Sequence, residues 1–179
     1  MPVHVTFGEV LLRLSAAGPE RLFQSPELRT WWGGAEANVA MSLGMLGVPV
    51  RHVTCVPENA LGDAAVRALT TEGVDTRDVR RGGSRLGLYF LEAGAGPRPL
   101  QVTYDRAHSA FATLDPAQFD WKTILADAAW FHVSGITPAL GDGPLRATAE
   151  ALAMANRLGV RTSFDLNFRP ALWQGRDPR

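Results

Sequence analysis

Cysteine occurs once in the 179 residues and lysine once, at Cys55 and Lys122. A single thiol forms no internal disulfide, and the apolar run from Val50 to Val56 predicts that Cys55 is an inert buried side chain rather than a nucleophile. The four histidines, His4, His52, His108 and His132, stand at no metal-ligand spacing, so no structural metal is predicted. The lone lysine belongs to no G-x-x-x-x-G-K-[ST] run, which excludes a P-loop. The first strand, about Val3 to Phe7, runs into Gly8-Glu9-Val10-Leu11-Leu12-Arg13, which excludes the dinucleotide fingerprint as well. No apolar stretch reaches about 18 residues, and the start Met1-Pro2-Val3-His4-Val5 lacks the basic region and cleavage site of a leader. This pattern predicts a cytoplasmic protein with no membrane partner. Excess charge is missing too: 18 Lys and Arg offset 18 Asp and Glu, which leaves no footprint for nucleic acid and makes a small molecule the default ligand.

What is present, 46% hydrophobic residues, is enough for one globular core. The opening strand is followed by short excursions at Leu11 to Ser15 and Arg29 to Trp32. From Ala35 to Leu46 the apolar positions Val39, Leu43 and Leu46 recur at helical spacing, and Gly47 supplies a stop. A strand is expected at Val50 to Val56, then a helix from Ala60 to Glu72 with Asn59 as its cap and Gly73 as its end. Thr76 to Arg80, Leu86 to Glu92 and Leu100 to Asp105 follow as strands, the last two joined by the turn-rich Ala93-Gly94-Ala95-Gly96-Pro97 into a hairpin. Asp115-Pro116 then opens a helix, and Ala129 to Val133, Pro144 to Leu158 and Val160 to Asp165 read as strand, helix and strand. The tail from Gln174 is polar and loop-like. Strand and helix in alternation predict an α/β fold, a mainly parallel sheet with helices on both faces. The excursions at 11–32 and 86–106 do not fit that sheet and are expected to form a small β lid.

Three groups of residues could carry chemistry. Gly33, Gly34 and Asn38 bring two glycines and an amide to the mouth of a helix, where backbone can approach a polyhydroxylated ligand, although two adjacent glycines also serve a plain turn. Tyr104 and Arg106, two apart on a predicted strand, share a face with room for a hydroxyl and a carboxylate, and Tyr89 lies on the neighbouring strand. The alternative is a solvated strand face. Asp165, Asn167 and Arg169 fall at the C-terminal end of a predicted parallel strand, where open α/β sheets bind ligands, or else form a capped turn with a surface cation. Ser134-Gly135-Ile136-Thr137-Pro138 is a weaker candidate of the same kind, and the Trp31-Trp32 pair suits core or interface.

Trp32-Gly33-Gly34-Ala35-Glu36-Ala37-Asn38-Val39-Ala40, with Gly47 and Gly62 after it, resembles the N-terminal signature of the ribokinase-like (PfkB-type) carbohydrate kinases. Gly87-Leu88-Tyr89, Tyr104-Asp105-Arg106 and Asp165-Leu166-Asn167-Phe168-Arg169 narrow the resemblance to 2-keto-3-deoxygluconate kinases. Pro57 and Asn59 stand where many members have Gly and Asp, Arg13 where an acidic or apolar residue is usual, and Phe168 where tyrosine is common. The resemblance implies that Gly33, Gly34, Asn38, Tyr89, Tyr104, Asp105 and Arg106 hold the acid sugar. It likewise implies that Asp165, Asn167, Phe168 and Arg169 lie near the phosphates of ATP, and that Mg2+ accompanies the nucleotide. A homo-oligomer joined through the lid is implied as well; a small lid sheet is expected to have apolar outer faces, with Trp31, Trp32, Leu88 and Phe90 contributing to that contact.

The family's catalytic base comes from a late Gly-Ala-Gly-Asp segment, which does not occur here; Gly94-Ala95-Gly96 is followed by Pro97 and lies in a hairpin. Residues 1–179 therefore read as the N-terminal portion of a single kinase domain with no catalytic residue of its own, inactive alone, with an interior strand left at an open edge. The competing readings are another PfkB-type kinase, such as a fructokinase, and a non-catalytic sugar-binding or lid-dimerising module.

Overall fold

A computed structural model describes residues 3–173. The polar tail from Gln174 lies outside the described residues. The chain runs β1 (Val3–Phe7), β2 (Leu11–Ser15), β3 (Arg29–Gly33), α1 (Ala35–Met45), β4 (Val50–Val56), α2 (Ala60–Thr71), β5 (Val79–Arg81), β6 (Gly87–Glu92), β7 (Gln101–Asp105), α3 (Trp121–Ile124), β8 (Ala128–Ser134), α4 (Asp142–Leu158) and β9 (Arg161–Asp165). Five strands form one sheet in the order β5-β4-β1-β8-β9, with every pairing parallel. The remaining four form a second sheet in the order β3-β2-β6-β7. The expected lid is thus present, built from both excursions. Its central pair β2–β6 is parallel and its two outer pairs are antiparallel.

All seven residues of β4 are buried, as a strand covered on both faces requires. On one side of the parallel sheet an aromatic cluster of Phe7, Phe111, Phe119, Trp121 and Phe131 packs against Ala147, Ala151 and Ala155, which recur every fourth residue along α4. On the other side α1 and α2 press Ala37, Ala40, Ala65 and Leu69 against Val50 and Val56. Here α1 departs from expectation. It buries Glu36, Ala37 and Ala40, whereas Met45 and Leu46 are exposed. The helix lies too close to its neighbours for larger side chains: a Cβ on Gly44 would come within 2.0 Å of the Glu72 carbonyl oxygen.

Three further expectations change. The strand predicted at Thr76 to Arg80 begins only at Val79, because Asp75 folds the preceding residues into a turn by accepting from the Arg77 N–H at 3.0 Å. The helix expected from Asp115-Pro116 is a single 3-10 turn, Pro116–Gln118, capped by Asp115, after which Phe119 and Trp121 turn into the aromatic cluster. Trp31, Trp32, Leu88 and Phe90 do not share one face of the lid, since side chains alternate along a strand. The register Trp31–Arg13–Tyr89–Tyr104 puts Trp31 on the face of the two tyrosines, with the Arg13 guanidinium 4.4 Å over its ring. Trp32, Leu88 and Phe90 occupy the other face.

At the far side of the main sheet, β9 has a neighbour, β8, on one side among the described residues, and Phe164, Leu166 and Phe168 are exposed beside it. Cys55 is buried, and burial pushes its thiol up to about 11, which leaves it protonated and unreactive at neutral pH.

Candidate active site

Between the two sheets lies a cavity of about 240 Å³, at the C-terminal ends of β1 and β8. Its roof is one face of the lid: Leu11, Tyr89, Val102 and Tyr104 alternate inward from three strands. Tyr89 and Tyr104 are the only tyrosines in the chain, and their rings lie 5.8 Å apart. Gly34, Ala35, Glu36 and Asn38 bring in the first turns of α1, Ile136 the loop after β8, and Asn167 and Arg169 the segment after β9.

The glycines are explained by what they touch. Gly34 has φ 132°, a conformation that side chains rarely tolerate, and a Cβ on it would sit 2.1 Å from the carbonyl oxygen of Glu9. A Cβ on Gly8 would meet Glu36 Oε2 at 2.2 Å, and one on Gly87 would meet Glu9 Oε1 at 2.4 Å. Two carboxylates, nearly inaccessible at 3% and 1% exposure, are thus packed in glycine-lined recesses beneath the ligand space. Each accepts hydrogen bonds from its surroundings. Glu9 Oε2 accepts from Arg106 Nε at 2.8 Å and Nη2 at 2.5 Å, and its Oε1 accepts from Ser109 Oγ at 2.5 Å. Burial pushes the Glu9 carboxyl above the usual carboxylate value, against the opposing pull of Arg106 and Ser109. Glu36 Oε1 accepts from the Ser134 N–H and from Thr137 Oγ1, both at 2.7 Å, which ties the loop carrying Ile136 to the first turn of α1.

Among the sequence candidates, Gly34, Asn38, Tyr89, Tyr104, Arg106, Asn167 and Arg169 line this one cavity. Gly33, Asp105, Asp165 and Phe168 do not. Gly33 ends β3 and makes room for Tyr89, whose hydroxyl would lie 2.9 Å from a Cβ there. Asp105 pairs with Arg85 at 2.8 Å, and Phe168 is exposed. Strand β7 stops at Asp105, so Arg106 reaches the cavity from the residue beyond it. The predicted alternation of Asp165, Asn167 and Arg169 also fails, because β9 ends at Asp165. The Asp165 side chain then accepts from the Asn167 N–H at 3.0 Å in a tight turn, with Asn167 at φ 31°. The turn sends Asn167 and Arg169 into the cavity and leaves Asp165 outside it. Among the described residues no carboxylate lies within ion-pair distance of Arg169.

Sequence reasoning missed Glu9 and Glu36, the two residues that organise the site. Their signal was a carboxylate beside a glycine at each entry to the cavity, Gly8-Glu9 after β1 and Gly34-Ala35-Glu36 at α1.

The model of the pfkB family carbohydrate kinases matches residues 2–178. The chain belongs to that family. This pfkB chain is 39% identical over 175 residues to the 2-dehydro-3-deoxygalactonokinase of Haloferax volcanii, an alignment that covers 98% of this chain and 55% of that protein. It is 33% identical over 171 residues to the 2-dehydro-3-deoxygluconokinase of Bacillus subtilis, covering 94% and 52%. The crystal structure of the 2-dehydro-3-deoxygluconokinase of Thermotoga maritima superposes with a TM-score of 0.94 at 49% identity, covering 97% of this chain and 53% of that one. The chain thus spans about half the length of the curated relatives it matches. ATP is the co-substrate of the family, and a related fructokinase from Xylella fastidiosa has been solved with ATP bound.

Proposed function

We propose that this pfkB chain forms the sugar-binding half of a kinase that transfers the γ-phosphate of ATP to the terminal hydroxyl of a 2-keto-3-deoxy sugar acid, 2-dehydro-3-deoxygluconate or its C4 epimer. One observation carries the reading: two tyrosines, two asparagines and two arginines line a single cavity. Hydroxyls and amides suit a polyol, and arginine binds a carboxylate through paired hydrogen bonds. The relatives named for 2-keto-3-deoxy acids support it. Arg169 supplies a cation that no described carboxylate neutralises, and Arg106 adds the edge of its guanidinium that is not given to Glu9. This assigns Asn167 and Arg169 to the sugar side, with Asp165 and Phe168 left towards the nucleotide. Mg2+ would enter on the phosphates of ATP; among the described residues no group of three His, Cys, Asp or Glu side chains could hold it. The relatives are about twice as long, and the base that deprotonates the attacking hydroxyl is expected from a segment equivalent to their second half. Residues 1–179 by themselves are therefore expected to bind the acid without phosphorylating it.

The test is phosphorylation of 2-dehydro-3-deoxygluconate, its C4 epimer and fructose by the full-length kinase. Arg169→Ala is the informative variant, since Arg106→Ala would also strand the buried Glu9. Loss of about 1.5 to 3 kcal/mol in acid binding is expected, the worth of hydrogen bonds to a charged group. Equal efficiency on fructose, or no effect of Arg169→Ala, would refute the assignment.

A further inference from the structure

The Glu9–Arg106 pair does more than neutralise a buried charge. Glu9 lies in the short connection between β1 and β2, where the chain leaves the main sheet for the lid, and Arg106 lies where it returns. Both atoms of one guanidinium edge, Nε and Nη2, go to the same oxygen of Glu9. The Arg106 guanidinium carbon also lies 5.7 Å from the centre of the Tyr104 ring, which bounds it on a second side. Its remaining edge, Nη1 and the outer proton of Nη2, has no acceptor among the described residues, and Arg106 lines the cavity. Glu9 itself cannot shift easily. Ser109 holds its second oxygen, Gly87 leaves no space beside that oxygen, and Gly34 closes on its carbonyl.

We infer that Glu9 is a positioning residue: by fixing one edge of the Arg106 guanidinium, it aims the other edge at the carboxylate of the bound sugar acid. This rests on the acid-sugar reading above. An arginine on a flexible stem loses rotamer freedom each time it clamps a carboxylate, and a partner that holds it beforehand removes that loss. The pair also limits the charge offered to the ligand. Glu9 offsets the charge of Arg106, and Glu36, also in the cavity wall, accepts from the Ser134 N–H and the Thr137 hydroxyl, so Arg169 is the cation there without a carboxylate partner among the described residues.

The experiment compares Glu9→Gln and Glu9→Asp with the unsubstituted full-length kinase. The probes are 2-dehydro-3-deoxygluconate as substrate and its neutral carboxamide as competitive inhibitor. Glu9→Gln keeps the shape and removes the charge, whereas Glu9→Asp keeps the charge and withdraws it by one methylene. The expected result is a KM for the acid raised at least tenfold in Glu9→Gln and by less in Glu9→Asp, with kcat within about threefold and the carboxamide Ki within about twofold. A purely structural role would move the acid and the carboxamide together, and that outcome overturns the inference. So does a KM for the acid that stays within twofold while the NMR signal of Arg106 Nε–H moves in Glu9→Gln, because Arg106 would then have lost its partner without consequence. Should Glu9→Gln fail to fold, an unchanged KM in Glu9→Asp overturns it alone. An unsubstituted kinase that ignores the acid defeats the substrate reading itself, an outcome distinct from acid binding that is indifferent to Glu9.

Discussion

Replacing Glu36 by alanine should be among the most damaging single changes available to this fold. Its Oε1 accepts two hydrogen bonds of 2.7 Å, from the Ser134 N–H and from Thr137 Oγ1, and the residue is 1% exposed. Hydrogen bonds to a charged acceptor contribute about 1.5 to 3 kcal/mol each, so the two together represent about 3 to 6 kcal/mol. Part of that is offset because alanine no longer has to hold a carboxylate out of water, and the hydroxyl of Thr137 can turn elsewhere while the backbone N–H cannot. The net loss is expected to be about 2 to 4 kcal/mol, a large share of the roughly 5 to 15 kcal/mol that holds a domain folded. Glu36→Gln retains an acceptor oxygen for both donors, but it sets an amide against the backbone of Gly8. It should lose about 1 to 2 kcal/mol. Urea denaturation followed by circular dichroism gives both values from the shift in midpoint at constant slope. If alanine shifts stability by less than about 0.5 kcal/mol, or if glutamine is as damaging as alanine, the two short bonds are not what anchors the loop after β8.

Gly34→Ala should destabilise by about 1 to 3 kcal/mol through its φ of 132° and the 2.1 Å approach to the Glu9 carbonyl oxygen. Gly82→Ala, whose Cβ would find its nearest neighbour 3.7 Å away at Cys55 Sγ, should stay within about 0.5 kcal/mol; thermal melts of the two variants decide this, and equal melts would contradict it. His52 is fully buried, its Nδ1 2.7 Å from Thr6 Oγ1, and burial lowers its pKa from 6.5 to about 3. The unfolded chain takes up a proton there below about pH 6.5 while the folded chain does not, so this contribution is complete above pH 6.5 and is lost as pH falls towards the folded value. Between pH 7 and 5 the loss should be about 2 kcal/mol. It should vanish in His52→Gln, and parallel stability curves for the two proteins would refute it.

Where the chain decides its conformation locally, the sequence was readable. Pro49 and Pro57 bracket β4 within one residue, the Asn59 side chain accepts from Leu61 and Gly62 at the start of α2 as a cap should, and Gly159 ends α4 at φ 69°. The family resemblance then reached seven of the cavity's residues. What escaped depends on partners far away along the chain. Glu9 meets Arg106 across 97 positions and Glu36 meets Ser134 across 98, so no window of sequence shows that these acids leave water. A charged residue read alone is assigned to the surface. The turn at Asn167 was hidden for a different reason: strand alternation was carried as far as Arg169, four residues past the end of the strand. Trp31 and Trp32 were grouped by type, although neighbours on a strand must face opposite ways.

Because β2 and β6 are parallel partners, the small sheet leaves the main body along a single line of crossings, at residues 8–10, 33–34, 82–86 and 106–109. Its far end is closed on itself, with the Leu22 N–H donating to Glu92 Oε2 at 3.1 Å and Arg98 reaching the carbonyl of Pro19. Such a panel has leverage. Strands of five residues are about 17 Å long, so a tilt of about 10° at the line of crossings carries the far edge through about 3 Å. Glu9, Gly34, Arg106 and Ser109 all sit on that line, so the hydrogen-bonded cluster at one end of the cavity is also the pivot on which the whole roof is hung.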